Sequence, residues 1–230
     1  MSTPEEADLK QYGAISPLAI GALLLGLFSF LALSSLLLLV VPAAAAIVAL
    51  LVLRQIQASD GAIIGRTPAI VGLICALLFA SIAVSSVVSR SRALEINATS
   101  FGDEWLDLVQ NNELERAHQL HLPAADRQLP SSSLAEYYAN NEDAKTALDQ
   151  FFAAPLAAAI RSLPKGTRWQ AEVVETTVFD DLEHVALRYQ TGDQTAEGTP
   201  IDFVLVVERA PTAAGGIWRV MQITEPKETP

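Results

Sequence analysis

Three histidines are the side chains best suited to metal or acid–base chemistry. His118 and His121 are three residues apart, so they share a face if the segment is helical, and Glu113 and Glu115 are close to them in sequence. A zinc site needs three or four ligands in a defined geometry, and His-x-x-His alone is a weak signal. The pattern favours two polar residues at a helix end over a metal site, and His184 is expected to be solvated. We therefore predict neither a bound metal nor a cofactor.

Two adjacent carboxylates, Asp180 and Asp181, could also serve acid–base chemistry. Adjacent aspartates between two strand-like segments more often form the turn itself, because an Asp side chain can bond its own backbone. The three tryptophans could stack on a ligand, but large aromatic side chains more often lie in the core. The sequence contains no glycine-rich phosphate loop and no G-x-S-x-G motif. It therefore predicts no catalytic residue, and it leaves the ligand-binding residues unassigned.

The second half of the chain supplies the elements that must position these side chains. Apolar residues recur at helical spacing over residues 101–109, 114–122 and 148–163, with Pro155 expected to kink or split the last helix. After Gly166 the apolar period changes to two, in four segments at 168–179, 183–190, 201–209 and 216–223. Short connections between consecutive strands predict an antiparallel meander. We expect a soluble α+β unit over residues 99–226, with helices packed on a curved four-stranded sheet.

The first half of the chain predicts a membrane module. Residues 11–53 contain no charged side chain, and as one helix they would extend roughly 65 Å, about twice the hydrocarbon core. We predict an all-α module over residues 15–89 with transmembrane helices at about 17–36, 41–57 and 68–89. A polar tail (1–14) precedes it and a linker (90–98) follows. Arg54, Arg66, Arg90 and Arg92 are expected at the membrane interfaces.

Charge limits the functions that this architecture can have. The formal net charge is −11, and the acidic excess lies entirely after Leu94. An acidic unit without a basic stripe argues against nucleic acid as a partner. Apart from Arg54, which is expected at the interface, the predicted spans contain no Asp, Glu, Lys, Arg or His, whereas ion pathways and substrate sites in membranes normally need such a side chain. Small residues recur along the third span, which permits self-association or a protein partner there. The expected partners are thus the lipid bilayer and another protein.

Orientation follows from counting the cations at the ends of the spans. With three spans, Lys10, Arg54 and Arg66 lie on one side of the membrane, and Arg90 and Arg92 lie on the other. The positive-inside rule then favours a cytoplasmic loop between the second and third helices. We therefore predict a multi-pass protein of the cell membrane with an extracytoplasmic soluble unit.

Two resemblances accompany these predictions. The segment ALLVLRQIQASDG…GRTPAIVGLICALL, with Arg54 in its first part and Gly65, Arg66 and Gly72 in its second, resembles a small bacterial membrane domain of unknown function. The order of elements in residues 97–225 resembles the nuclear-transport-factor-like (cystatin-like) α+β cone. The first resemblance implies no activity. The second implies a cone that can hold an active site, a binding pocket or only packed side chains.

Three functions are compatible with the sequence. The favoured one is a non-enzymatic, membrane-anchored protein whose α+β unit binds another protein or a small ligand. The second is an enzyme whose active site lies in the cone and uses His118, Glu115 or another carboxylate. The third is a packing subunit of a membrane complex. A cone filled by aromatic and aliphatic side chains would favour the first function over the second.

Overall fold

The computed structural model describes residues 14–59, 63–129, 132–192, 201–213 and 215–226. The chain divides into two compact units, Met1–Ser91 and Arg92–Pro230. Most of the predicted polar tail, 1–14, lies outside the described residues.

The first unit contains three apolar helical segments. Helix α1 (Pro17–Phe28) continues as a 3-10 helix (Ser29–Leu33), a second 3-10 turn (Leu36–Leu39) leads into α2 (Val40–Ala58), and α3 covers Arg66–Gln110. Two short strands, β1 (Ala14–Ile15) and β2 (Ile63–Ile64), pair in parallel just before α1 and α3. Pro17 stands at the start of α1 and Pro68 in the first turn of α3, where a missing backbone N–H costs no helical hydrogen bond.

The structure corrects the number of predicted spans from three to two. By length and composition, the segments Leu37–Ala58 and Arg66–Gln110 are long and apolar enough to cross a membrane, and the shorter apolar segment Pro17–Leu33 is not. The reason lies at Ser34 and Ser35, where the backbone of Ser35 is extended. The break expected between the predicted helices 17–36 and 41–57 was therefore placed a few residues too late, and the first helix ends short of the roughly 20 residues that a span requires.

Helices α1 and α3 approach closely through glycine. A Cβ atom added to Gly26 would overlap the backbone of Gly72, and one added to Gly72 would overlap the backbone of Ala22. Ala69, Ala76 and Ala83, which were predicted to form a small-residue stripe on α3, are also buried. Small residues allow backbones to come within packing distance in lipid. Self-association through α3 stays a prediction.

The residues predicted as a linker, 90–98, lie within α3, which continues without interruption to Gln110. No proline or glycine occurs between Arg90 and Ser100, so the sequence contains nothing that would end the helix there. The separate helix predicted for residues 101–109 is the last part of α3. Helix α3 ends before Asn112, whose φ of 61° is left-handed.

The remaining helices of the second unit are short. They are α4 (Leu114–Gln119), α5 (Leu134–Asn140), α6 (Glu142–Ala153) and α7 (Pro155–Ser162). As expected, Pro155 divides the apolar segment, and it forms the first residue of α7. The side chains of Ser133 and Asn141 accept hydrogen bonds from the backbone N–H of Glu136 and Ala144, which fixes the starts of α5 and α6.

The four predicted strands are confirmed as one antiparallel sheet. Strands β3 (Trp169–Phe179), β4 (Leu182–Thr191), β5 (Asp202–Ala210) and β6 (Ile217–Thr224) lie side by side in sequence order. One extra residue interrupts the pairing in each edge strand, Val174 in β3 and Met221 in β6. Bulges of this kind bend the strands that contain them.

One face of the sheet packs against the helices. Alternate residues of β4 and β5 are buried, as the period of two predicts. The core combines these residues with α3, α4, α6 and α7, and its largest fully buried side chains include Trp105, Leu106, Ile160, Tyr189 and Phe203. Tyr189 donates hydrogen bonds to the backbone carbonyl of Thr99 (3.3 Å) and to Asp103 Oδ1 (3.0 Å) on α3.

Candidate functional site

His118 and His121 lie at the end of α4 and in the turn that follows it, among polar partners from other elements. His118 is buried, and its Nδ1 is 2.7 Å from the hydroxyl of Tyr138 on α5. The same hydroxyl accepts a hydrogen bond from Gln119 Nε2 at 2.8 Å. The Tyr138 hydroxyl therefore donates its own proton to His118 Nδ1. Because Nδ1 accepts this hydrogen bond, the proton of the neutral His118 ring is assigned to Nε2.

His121 has a different role in the same region. Its Nδ1 is 2.7 Å from the carbonyl oxygen of Val220 in β6, so this nitrogen carries the proton and donates it. The imidazole ring lies 4.5 Å from the ring of Phe151. Burial lowers the pKa of both histidines, and the neighbouring His121 imidazole lowers that of His118 further. For His121, burial has the largest effect on the pKa, while the hydrogen bond to Val220 raises it and nearby Arg219 lowers it. Both imidazoles are therefore neutral at pH 7.

Arg127 completes this arrangement at the edge of the sheet. Its Nη2 donates to the carbonyls of Trp218 (2.6 Å) and Leu120 (3.3 Å), and its Nε donates to the carbonyl of Leu122 (3.0 Å). The backbone N–H of Val220 donates to Leu120 at 2.9 Å. Residues 120–127, with the side chains of His121 and Arg127, thus form an edge cover that bonds the outer side of β6.

The predicted metal ligands do not converge with a third one. Among the residues that the structure describes, no group of three or more His, Cys, Asp or Glu side chains could hold a metal ion. Glu113 pairs with Arg116 at 2.5 Å. Glu115 lines an open cleft of about 620 Å³ between α4, α5 and α6, together with Tyr138 and Lys145.

The remaining candidate residues form a turn, lie on the outer face of the sheet or belong to the core. Asp180 and Asp181 form the two-residue turn between β3 and β4, with left-handed φ values of 49° and 62°. His184 lies on the outer face of the sheet, 3.9 Å from Glu208, which also binds Arg219 through 2.6 and 2.9 Å hydrogen bonds. Trp105 is fully buried, and Trp169 and Trp218 pack against the core.

The interior between helices and sheet is filled by side chains. Tyr189, Phe203, Leu187 and Leu205 on the inner face of the sheet are all 0 % exposed. The three described clefts lie elsewhere and are lined mainly by residues of α3–α6 and of the segment between α4 and α5. An interior filled in this way favours a binding surface over an enclosed active site.

The four arginines predicted at the membrane interfaces are all exposed. Arg54 lies in the last turns of α2 and Arg66 opens α3, while Arg90 and Arg92 lie farther along α3. The uncharged residues 67–89 of α3 extend roughly 35 Å between the two pairs of cations, which is enough to cross a hydrocarbon core of about 30 Å.

The sequence did not identify the outer edge of β3 as a feature. In the described part of the chain, β3 pairs only with β4. Nine of its eleven residues are exposed, including Val174 (56 %), Val178 (69 %) and Phe179 (69 %). The signal was present in the sequence as apolar residues on both faces of the segment VVETTVF, where a half-buried strand would alternate.

Comparison of the chain with protein-family models, curated proteins and solved structures found no match. Both resemblances therefore stay predictions.

Proposed function

We propose that this chain is a membrane-anchored protein whose acidic α+β unit binds another protein. The observation that carries the anchoring is the exposure of the two long apolar helices. Only 22 % of the most apolar part of Leu37–Ala58, and 17 % of that of Arg66–Gln110, is buried. The core helix of a soluble protein would be mostly buried, so lipid is the surroundings that these helices fit best.

The binding role is supported by the second unit. Its core is packed, and the histidine pair and the aspartate pair serve hydrogen bonds and a turn. An enzyme in the cone would need a cavity with polar groups at its base, and the inner face of the sheet presents buried aromatic and aliphatic side chains instead. A protein partner uses the outer surfaces, which remain available.

Alkaline carbonate extraction of membranes from cells that express the full chain tests the anchoring. The chain is expected in the pellet. Leu77 and Leu78, which are 56 % and 51 % exposed on α3, are then replaced in the variant Leu77→Lys/Leu78→Lys. Two lysines near the middle of a span cost about 5–7 kcal/mol on insertion scales, so a larger share of the variant than of the native chain should appear in the supernatant, while α2 retains the remainder in the pellet.

The matched control is Thr146→Lys/Gln150→Lys, which adds the same charge to exposed positions of α6. It should stay in the pellet. Recovery of the native chain in the supernatant would overturn the proposal.

The multi-pass topology and its orientation belong to the same proposal. With α2 and α3 as spans, the loop between them lies on one face of the membrane, and both chain ends lie on the other. The cytoplasmic placement of this loop was predicted by counting cations with three spans; with two spans, Lys10 shares a side with Arg90 and Arg92, and the count no longer favours that placement. The extracytoplasmic placement of the acidic unit stays a prediction. Alkaline phosphatase fused after Pro230 should be active; an inactive phosphatase with a fluorescent cytoplasmic fusion would place the acidic unit in the cytoplasm.

A further inference from the structure

The two edge strands of the four-stranded sheet differ in whether another segment of the described chain bonds to them. At β6, the edge cover pairs with the outer backbone groups of the strand. Leu120 and His121 bond to the backbone of Val220, and Arg127 donates to the carbonyl of Trp218. At β3, the described residues supply no strand or loop that pairs with the outer side. An exposed strand edge is a template for another strand, and proteins commonly protect such edges with lysine, proline or a covering segment. Strand β3 contains neither lysine nor proline.

The usable part of this edge is its last five residues. Val174 is the extra residue of the bulge, and the ladder with β4 then runs without interruption from Glu175 to Phe179. Cross-strand pairing places Thr176 and Val178 beside the buried residues Val185 and Glu183, and so on the inner face. Glu175, Thr177 and Phe179 therefore lie on the outer face. The bulge shortens the free edge but does not close it.

The acidic residues at this edge favour a basic partner. Glu172 and Glu175 are the only charged residues of β3, and Asp180 and Asp181 follow directly in the turn. A second copy of the chain would set this acidic strand against itself, with no cation to pair across the interface. A basic segment instead finds carboxylates at both ends of the ladder. An arginine on its outer face could also lie over the exposed ring of Phe179.

The shape of the site selects an extended segment. In a protein complex, the outward backbone N–H and C=O groups of a strand edge are paired along their length by another strand. Val178 on the inner face favours a β-branched apolar residue opposite it, while Glu175 on the outer face favours a cation. The complementary sequence therefore alternates basic and β-branched residues over about five positions.

We propose that the outer edge of β3, at Glu175–Phe179, binds an extended segment of a partner protein with alternating basic and β-branched residues, which adds a fifth strand to the sheet. This inference rests on the proposed binding role and names its surface and the chemistry of its partner. The interaction uses main-chain hydrogen bonds for affinity and the acidic side chains for selection.

Fluorescence anisotropy tests this with the full chain in a non-ionic detergent at physiological salt. The probe is a fluorescein-labelled peptide with the core Arg-Val-Arg-Val-Arg. The control probe has the same sequence with all five core residues N-methylated, which keeps the charge and removes the backbone donors. Saturable binding of the first probe is expected, and the N-methylated probe should bind at least about tenfold more weakly.

Two protein variants separate the edge from general attraction between opposite charges. Glu175→Lys/Val178→Lys should weaken binding at least about tenfold, whereas Asp149→Lys/Gln150→Lys makes the same charge change on α6 and should weaken it less than about threefold. All four positions are exposed, and tryptophan fluorescence checks that both variants are folded. Even if the β3 variant were unfolded, the N-methylated probe would still test the inference on the native protein.

Equal binding of the two probes, or equal weakening by the two variants, would overturn the inference. So would a dimer of the native chain that the β3 variant abolishes, because the edge would then belong to a second copy. None of the four substituted positions lies in a span, so these outcomes leave the carbonate result unchanged. Failure of that extraction would instead overturn the proposed function, whatever the peptides do.

Discussion

Removal of the Arg127 guanidinium should destabilise the second unit measurably. Arg127→Met keeps most of the side-chain length and removes every donor to the carbonyls of Trp218, Leu120 and Leu122. Hydrogen bonds to a charged group contribute about 1.5–3 kcal/mol each when buried. Only the bond to Trp218 is short, the side chain is only partly buried, and burial already lowers the Arg127 pKa. We therefore expect the free energy of unfolding to fall by about 2–3 kcal/mol.

Urea unfolding followed by tryptophan fluorescence measures this change in the full chain. All three tryptophans, Trp105, Trp169 and Trp218, belong to the second unit, so none of them lies in the membrane-spanning part of the chain. Arg168→Met is the matched control, because it removes the same charge from an exposed loop position. If the free energies of unfolding of the two variants differed by less than about 0.5 kcal/mol, the bonds from Arg127 to the sheet edge would not stabilise the unit.

Three further predictions concern positions elsewhere in the second unit. Burial lowers the pKa of His118 and His121 below the ordinary value of 6.5, so their contribution to the free energy of unfolding should be complete above that pH and should be lost as the pH falls below it. In His121→Asn the decrease of the free energy of unfolding with falling pH, measured by urea unfolding at each pH, should be shallower, and an unchanged slope would contradict the assignment. Asp181→Gly should raise the free energy of unfolding by about 0.5–1 kcal/mol, since glycine adopts the left-handed φ of 62° without steric cost, and a lower melting temperature would count against this. Gly102→Ala should lower the free energy of unfolding by about 1–3 kcal/mol, because the new Cβ overlaps the Tyr189 hydroxyl. The loss should be smaller in a Tyr189→Phe background, and additive effects of the two substitutions in a double-mutant cycle would exclude the contact.

The sheet was predictable because its signal is local. In β4 and β5 the apolar residues alternate, and each strand ends within a residue or two of its predicted limit. The turn at Asp180 and Asp181 could likewise be predicted from adjacent residues alone. The length of α3 could not be read in the same way, since the change from apolar to polar composition at Arg90 suggested a boundary that the backbone does not have.

The edge cover was not predictable because its contacts are long-range. His121 and Val220 are 99 residues apart, and Arg127 and Trp218 are 91 apart. Periodicity describes which face of one element is buried, but it does not say which loop passes a given strand edge. For the same reason, the two spans found in place of three depend on a local break at Ser35 that composition alone placed several residues later.

The histidine pair and the β3 edge show why reactive residue types were a poor guide to the available surface. His118 and His121 are neutral, have their Nδ1 atoms engaged, and pack against Tyr138 and Phe151. They help to cover one edge of the sheet, and a buried polar group that is satisfied in this way gains nothing from a ligand. In the part of the chain that the structure describes, no such cover lies along strand β3, and its outer backbone groups are open to a partner. Unsatisfied hydrogen-bonding capacity at the surface, rather than residue type, is therefore what points to function in this chain.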